Sequence, residues 1–466
     1  MSAELERLAA ACVFPGFPGY EPPDWVRRRV ADGLGGVVLF GWNVRDAEQV
    51  AELCAVLRTE RPELLVATDE EGGDVTRLEV ARGSSYPGNL ALGVVDDVSL
   101  TEAVAAATGS DLAAAGINLD LAPVADVNTN PLNPVIGVRS FGDDPELVAR
   151  HVAAFVRGLQ RCGVAACAKH FPGHGDTEQD SHLELPVARG DLSAALLPFR
   201  AAVEAGVQAV MTAHIVVPDV DEVPATVSRR LLTGVLRGQL GFDGLEITDA
   251  LEMRGLADSI GVEEGAVRAL AAGADALCLG HDLGDDAVES VSRAIVAAVA
   301  SGRLGEERLA EAAGRVARTA AWASGAAPAD GVDCSVGLEV ARRALRVEGE
   351  VALDRPAVVV ELLPEPNIAA GPPGHSLASL LRAEVVGADE AVARVSGRRL
   401  VIVLRDAHRY DWARDAAERL LASAPDAIVV ETGLPSWKPP AAGYVATHGA
   451  GRANLEAAVA KLRGTA

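Results

Sequence analysis

Lysine is nearly missing from this chain: Lys169, Lys438 and Lys461 are the whole supply, against 39 arginines. Such a bias reads as codon usage, so a lysine inside a dense polar stretch stands out. Aromatic residues make up only 4% while apolar residues make up 49%, so alanine, leucine and valine must build most of a sizeable core. Positive charge is short, 42 basic against 66 acidic residues, for a formal net charge of −24. A surface of that sign repels polyanions, which argues against nucleic acid or an anionic membrane as partner. A neutral or small ligand in a locally basic pocket stays open. The six cysteines show no Cys-x-x-Cys pairing, and several sit in apolar contexts such as "DALCLG". They read as buried free thiols of a reducing compartment. The first residues, "MSAELERLAAACVFPGF", lack the basic stretch and long apolar run of a signal peptide. No run approaches the ~18 apolar residues that a membrane helix needs. A cytoplasmic protein is expected.

At 466 residues the chain is long for one domain. From residue 10 to about 320, short apolar runs alternate with helical patterns. The strands are expected at Ala11–Phe14, Gly36–Phe40, Leu64–Thr68, Ile117–Ala122, Val164–Ala168, Ala209–Ala213, Leu245–Thr248 and Ala276–Leu279. Between them lie segments such as "AEQVAELCAVLRTE", with Val50, Leu53, Val56 and Leu57 at helical spacing. Apolar strands separated by helices imply parallel pairing with both sheet faces buried. Eight units predict a (β/α)8 barrel; a doubly wound sheet competes, because a repeat count does not show closure. Polar clusters begin where these strands end: "FGWNV", "DEEGGDVTR", "PVADVNTN", "KHFPGHGDT", "HIVVPDVD" and "DALEM". In a barrel all six would open onto one face, where active sites are built.

"ASGAAPADGVD", Ala323 to Asp333, lacks periodicity and reads as a linker. Beyond it, "RPAVVVEL", "RRLVIVL" and "DAIVVETGLP" read as buried strands of a smaller α/β domain with a parallel sheet, and "YDWARDAAERLLASA" as a helix. "NIAAGPPGH" reads as an exposed loop. No glycine-rich phosphate fingerprint follows the first of these strands, so no nucleotide cofactor is expected. The expected partition is a catalytic barrel over 1–322, a linker and connecting helix over 323–348, and a C-terminal α/β domain over 349–466.

The densest polar stretch is "AKHFPGHGDTEQDSHLELP", Ala168 to Pro186, with three histidines, two aspartates and a lysine. His170 and His174 have the four-residue spacing of a helical zinc pair. Pro172, Gly173 and Gly175 break a helix there, so no metal site is expected. His174 taken alone reads as a histidine satisfied within a buried turn. Asp180 and His182 pair more suggestively: a carboxylate bonded to one ring nitrogen fixes the tautomer and leaves the other nitrogen to shuttle a proton. Asp249 directly follows an apolar strand. It fits a catalytic residue at a strand end or a helix N-cap, and position alone does not separate the two.

The motifs "KHFPGHGDTEQDSH", "GFDGLEITDALEM", "DEEGGDVTR", "NPVIGVRSFGDDPE" and "HIVVPDVDEVPATVS", in this order, resemble the family-three glycoside hydrolases, most closely their β-N-acetylglucosaminidase branch. The resemblance is dense over residues 10–320 and looser beyond. It implies a retaining exo-enzyme that releases terminal N-acetylglucosamine from cell-wall or chitin-derived fragments. By motif position it implies Asp249 as nucleophile, His182 as general acid/base and Asp180 as its orienting partner. Asp69, Arg139, Lys169 and His170 would hold the sugar hydroxyls, with His214 and Met253 as pocket neighbours. No cofactor or metal is implied. Asp74 and Glu70 depart from the arginine and glutamine that members often carry. A neutral imidazole in place of a carboxylate acid/base does not repel an anionic acceptor. A β-N-acetylglucosaminide phosphorylase using phosphate is therefore the alternative. A β-glucosidase is disfavoured by the His-Asp loop, and a non-catalytic sugar-binding barrel by the intact Asp249, Asp180 and His182.

Overall fold

The computed structural model describes residues 3–280, 283–326, 329, 331–366, 369–371 and 374–465. The first part of the chain supplies eight short strands: β1 (Val13–Pro15), β2 (Gly36–Leu39), β3 (Leu65–Thr68), β4 (Leu119–Asp120), β5 (Ala165–Phe171), β6 (Ala209–Thr212), β7 (Leu245–Thr248) and β8 (Leu277–Leu279). β2 to β7 form a parallel sheet in chain order, and β1 pairs in parallel with β8. Every residue of these strands is buried. That explains their continuous apolar runs: a parallel sheet covered on both faces has no polar alternation.

Two apolar layers follow from this. The inner cluster contains Phe14, Val38, Leu65, Leu119, Ala165, Met211, Ile247 and Cys278, one or more residues from each of the eight strands. The outer cluster sits between strands and helices. The helix Pro145–Gln160 shows how such a layer is encoded. Asp144 caps it by accepting from the Glu146 N–H at 3.0 Å, proline opens the first turn, and Val148, Val152, Phe155, Val156 and Leu159 line its buried face.

The second sheet uses β9 (Arg346–Gly349), β10 (Ala357–Leu362), β11 (Glu384–Val385), β12 (Arg399–Leu404), β13 (Ile428–Glu431) and β14 (Gly443–Ala446). The spatial order is β11-β10-β12-β13-β14-β9, parallel except for β9. Apolar clusters cover both of its faces. The expected strands and the helix, here Asp411–Ser423, are present, but the all-parallel expectation is corrected by the antiparallel β9. The helix Glu306–Gly325 enters the expected linker. Ala327, Pro328 and Asp330 of that linker, and Asn367, Ile368, Pro372 and Pro373 of the expected exposed loop, lie outside the described residues. Five cysteines are buried as expected, whereas Cys334 is exposed. No helix among the described residues is long and apolar enough to cross a membrane.

Candidate active site

β3 ends at Thr68 and delivers Asp69. The chain then turns back on itself, with the Glu71 N–H donating to the Val75 carbonyl at 3.0 Å and the Gly73 N–H to the Tyr86 carbonyl at 2.8 Å. Lys169 and His170 lie within β5, not in the loop after it as their Pro-Gly context implied. Lys169 Nζ sits 2.7 Å from both Asp69 Oδ1 and Glu71 Oε1. Arg139 grips Glu71 with two bonds, Nε to Oε2 at 2.9 Å and Nη2 to Oε1 at 2.8 Å. Its Nη2 also lies 3.5 Å from His170 Nε2. His170 Nδ1 is 2.7 Å from Asp126 Oδ2, and Arg77 Nη2 is 3.6 Å from Asp69 Oδ2.

Burial pushes the Asp69 and Glu71 carboxyls up. Lys169 and Arg77 beside Asp69, and Arg139 and Lys169 beside Glu71, outweigh it and hold both below the ordinary carboxylate range. Burial likewise opposes charge on Lys169 and Arg139, yet Asp69 and Glu71 keep the lysine, and Glu71 the arginine, above their ordinary values. A buried charge tolerates desolvation only when paired, and here the pairing is reciprocal. The result is a network in which each buried charge is matched by one of opposite sign.

Asp249 follows β7, its N–H donating to the Thr212 carbonyl at 3.3 Å. Its Oδ1 accepts from the Ala250 N–H at 2.8 Å. It does not cap a helix: the next one, Arg254–Ile260, begins after Met253. Burial pushes the Asp249 carboxyl up, but the imidazoles of His214, His170 and His182 bring it below the ordinary value. His214 is buried with both ring nitrogens committed, Nδ1 at 2.7 Å from Thr226 Oγ1 and Nε2 at 2.9 Å from the Ala250 carbonyl. A carbonyl only accepts, so Nε2 carries the hydrogen. The Met253 N–H donates to the same carbonyl at 3.0 Å, and Met253 is buried. His214 and Met253 thus brace the turn behind Asp249.

Within the loop after β5 the histidines divide. His174 is buried, its Nδ1 2.6 Å from Thr177 Oγ1 and its Nε2 3.1 Å from Ser181 Oγ, and burial pushes it down to about 4. His182 is about one quarter exposed. Its Nδ1 lies 2.7 Å from Asp180 Oδ1, which also accepts the His182 backbone N–H at 2.9 Å. Burial raises the Asp180 carboxyl, but the bonds from His182 hold it below the ordinary range, so it accepts as a carboxylate. The Nδ1–H is thereby fixed and Nε2 is left for another partner. This loop is docked onto the Asp249 loop. The Gly255 N–H donates to the Ser181 carbonyl at 3.2 Å, and a Cβ on Gly255 would lie 2.8 Å from the Ser181 and Glu184 carbonyl oxygens. Only glycine permits that approach.

Asp69, Arg139, Lys169 and His170 therefore converge in one network, while Asp180 with His182 and Asp249 sit on two stitched loops. Three members of the network were not anticipated: Glu71, Arg77 and Asp126. All three sit in the polar stretches "DEEGGDVTR" and "PVADVNTN", which do not say which charges meet in space. Among the described residues no group of three histidine, cysteine or acidic side chains is arranged to hold a metal ion.

The sequence model of the glycosyl hydrolase family 3 N-terminal domain matches residues 21–319. The chain belongs to glycosyl hydrolase family 3. Among its curated relatives, a beta-hexosaminidase from Thiobacillus denitrificans (strain ATCC 25259 / T1) is 42% identical over 282 residues, 58% of this chain and 78% of that protein. Beta-hexosaminidase A from Pseudoalteromonas piscicida is 34% identical over 61% of this chain, which spans about half, 53%, of that relative's length. The solved structure of a glycoside hydrolase family 3 beta-N-acetylglucosaminidase from Paenibacillus sp. str. FPU-7 is 35% identical. It covers 99% of this chain and 97% of its own, with a TM-score of 0.89. The family-3 match ends inside the helix that precedes the second sheet, whereas the Paenibacillus enzyme matches both sheets.

Proposed function

We propose that this family-3 chain is a retaining exo-β-N-acetylglucosaminidase acting on cell-wall or chitin-derived oligosaccharides. The carrying observation is the Asp180–His182 pair docked through Ser181 and Gly255 onto the loop of Asp249. Asp249 Oδ1 is occupied by the Ala250 N–H, and the other oxygen attacks the anomeric carbon. As that C–O bond forms and the glycosidic bond breaks, His182 Nε2–H gives its proton to the departing oxygen. Asp180 stabilises the imidazolium beforehand and holds the tautomer afterwards. The neutral ring then takes a proton from water, whose oxygen displaces Asp249, and the two inversions leave the configuration retained. Asp69, Arg139, Lys169 and His170 hold the sugar hydroxyls, with His214 and Met253 behind the nucleophile. The named activities of the relatives support this reading.

The same proposal takes β1 to β8 as a closed (β/α)8 barrel. Supporting closure are the eight-strand inner cluster and the bonds of β8 to both neighbours, Thr248 N–H to the Ala276 carbonyl at 2.9 Å and Leu277 N–H to the Cys12 carbonyl at 2.7 Å. It also takes 1–322 as the catalytic domain and 349–466 as a second domain, a cytoplasmic location, and no nucleic-acid or membrane partner. Turnover of a chromogenic β-N-acetylglucosaminide, with and without inorganic phosphate, tests the activity. The β-anomer of N-acetylglucosamine is the expected first product in both cases. Sugar 1-phosphate as the main product would overturn hydrolysis in favour of phosphorolysis, and the α-anomer would overturn retention.

A further inference from the structure

The turn that carries Glu71 is gripped from outside by the second sheet. Asp74, at the tip of that turn, has a buried side chain. Its Oδ2 pairs with Arg405 Nη2 and its Oδ1 accepts the Ala450 N–H at 2.6 Å. Arg405 directly follows β12, and Ala450 lies in the turn after β14. Next to Ala450, Gly451 packs backbone on backbone: a Cβ there would lie 2.8 Å from the Gly73 Cα. Further along, the Ala453 N–H donates to the Ser84 carbonyl at 3.1 Å, and Arg452 bonds Glu79 at 2.9 Å and the Gly83 carbonyl at 3.2 Å. The segment 73–85 is thus held along its length by residues 450–453.

What lies on the other side of this grip is the sugar-holding network. Glu71, three residues before Asp74, contacts both Arg139 and Lys169. Glu71, Gly72, Asp74 and Arg139 face His448 and Gly449 across a void of about 10 Å³, room for no more than one water. The bonds to Asp74 and the backbone contact of Gly451 with Gly73 link a displacement of the second sheet to the turn that carries the carboxylate. Burial works against charge on Arg405, and Asp74 keeps it charged.

We propose that Arg405 is a positioning residue for the sugar subsite: through Asp74 it sets the turn that presents Glu71, and so fixes Lys169 and Arg139. The second sheet is thereby a working part of the binding apparatus. This rests on the glycosidase reading above, which is tested separately by turnover of the unaltered enzyme.

The experiment compares Arg405→Met, Asp74→Asn, the double variant and Arg405→Lys, all well below their unfolding midpoints. KM and kcat are read on a chromogenic β-N-acetylglucosaminide, together with the inhibition constant of free N-acetylglucosamine. The two single variants are expected to raise KM and the inhibition constant about tenfold, with kcat changed less than about threefold, since the reacting groups are untouched. The double variant should be no worse than either single one, because both remove one link. It leaves no lone buried charge, so it serves where a single variant fails to fold. Arg405→Lys keeps a cation and should recover to within about threefold of the unaltered enzyme. Folded variants with a lower melting temperature but an unchanged inhibition constant would overturn the positioning role, as would additive losses in the double variant. An unaltered enzyme without turnover would refute the glycosidase reading and the positioning role with it.

Discussion

The two sides of the site are built on opposite plans. Around Asp69, Glu71, Lys169 and Arg139 each charge has a partner within 3 Å. On the other two loops, Asp249 has one oxygen bonded within its own turn, and His182 has one nitrogen tied to Asp180. The charged network is internally paired, as the proposed sugar-holding role would require. Among the described residues, Asp249 Oδ1 and His182 Nδ1 are the bonded atoms of those two side chains, where the proposed chemistry would need the other atom of each. Preorganised binding groups lose little order when a ligand arrives, whereas a nucleophile and an acid already satisfied by the protein could not react. The histidines of the loop after β5 repeat the contrast eight residues apart: His174 is bonded at both nitrogens, His182 at one.

Four variants break or sharpen this contrast. Asp249→Ala should lower turnover by about 10⁴-fold or more while the circular dichroism spectrum stays native; undiminished turnover would remove Asp249 from the chemistry. His182→Ala should cost roughly 10²–10⁴-fold on substrates with poor leaving groups and far less on activated aryl glycosides. Equal losses on both would count against proton donation. On the holding side, Glu71→Gln strips Lys169 and Arg139 of their shared anion, which should destabilise the fold by about 3–5 kcal/mol in denaturant titrations and raise KM. The smallest effect belongs to His174. Its folded pKa of about 4 lies below its ordinary 6.5, so the unfolded chain binds the extra proton between those values. Its stabilising contribution is therefore complete above pH 6.5 and lost as pH falls toward 4, amounting to about 3 kcal/mol. His174→Gln should flatten that acid slope without moving the pH profile of kcat/KM; an unchanged slope would show that another group sets it.

Much of this was legible because a two-sidedly buried parallel strand writes itself as an apolar run. All eight early strands fall at or within the expected segments or overlap them closely, and Leu245–Thr248 coincides. β5 is the instructive exception. It carries Lys169 and His170 inside the strand, since their partners Asp69, Glu71 and Asp126 come from elsewhere in the chain and make a buried charge tolerable there. For the same reason Glu71, Arg77 and Asp126 gave no sign of their place in the network: charge matching is a property of neighbours in space. Asp249 could not be told from a helix cap until the helix was seen to begin five residues later. β9 and β11 are short and carry charged residues, and β14 is only four residues long and opens on glycine, so hydrophobic pattern did not mark them. The clasp of Asp74 by Arg405 spans 331 positions of chain and has no local signature.

The antiparallel β9 closes the flank of the second sheet, with Val347 opposite Val445 and Glu348 opposite Tyr444. A truncation that began the second unit just after Gly349 would strip this strand away and bare the main-chain donors and acceptors of β14. Such an unprotected edge invites pairing between molecules and precipitation. Any excised version of the C-terminal unit has to start before Arg346, upstream of the point where its first parallel strand would suggest cutting.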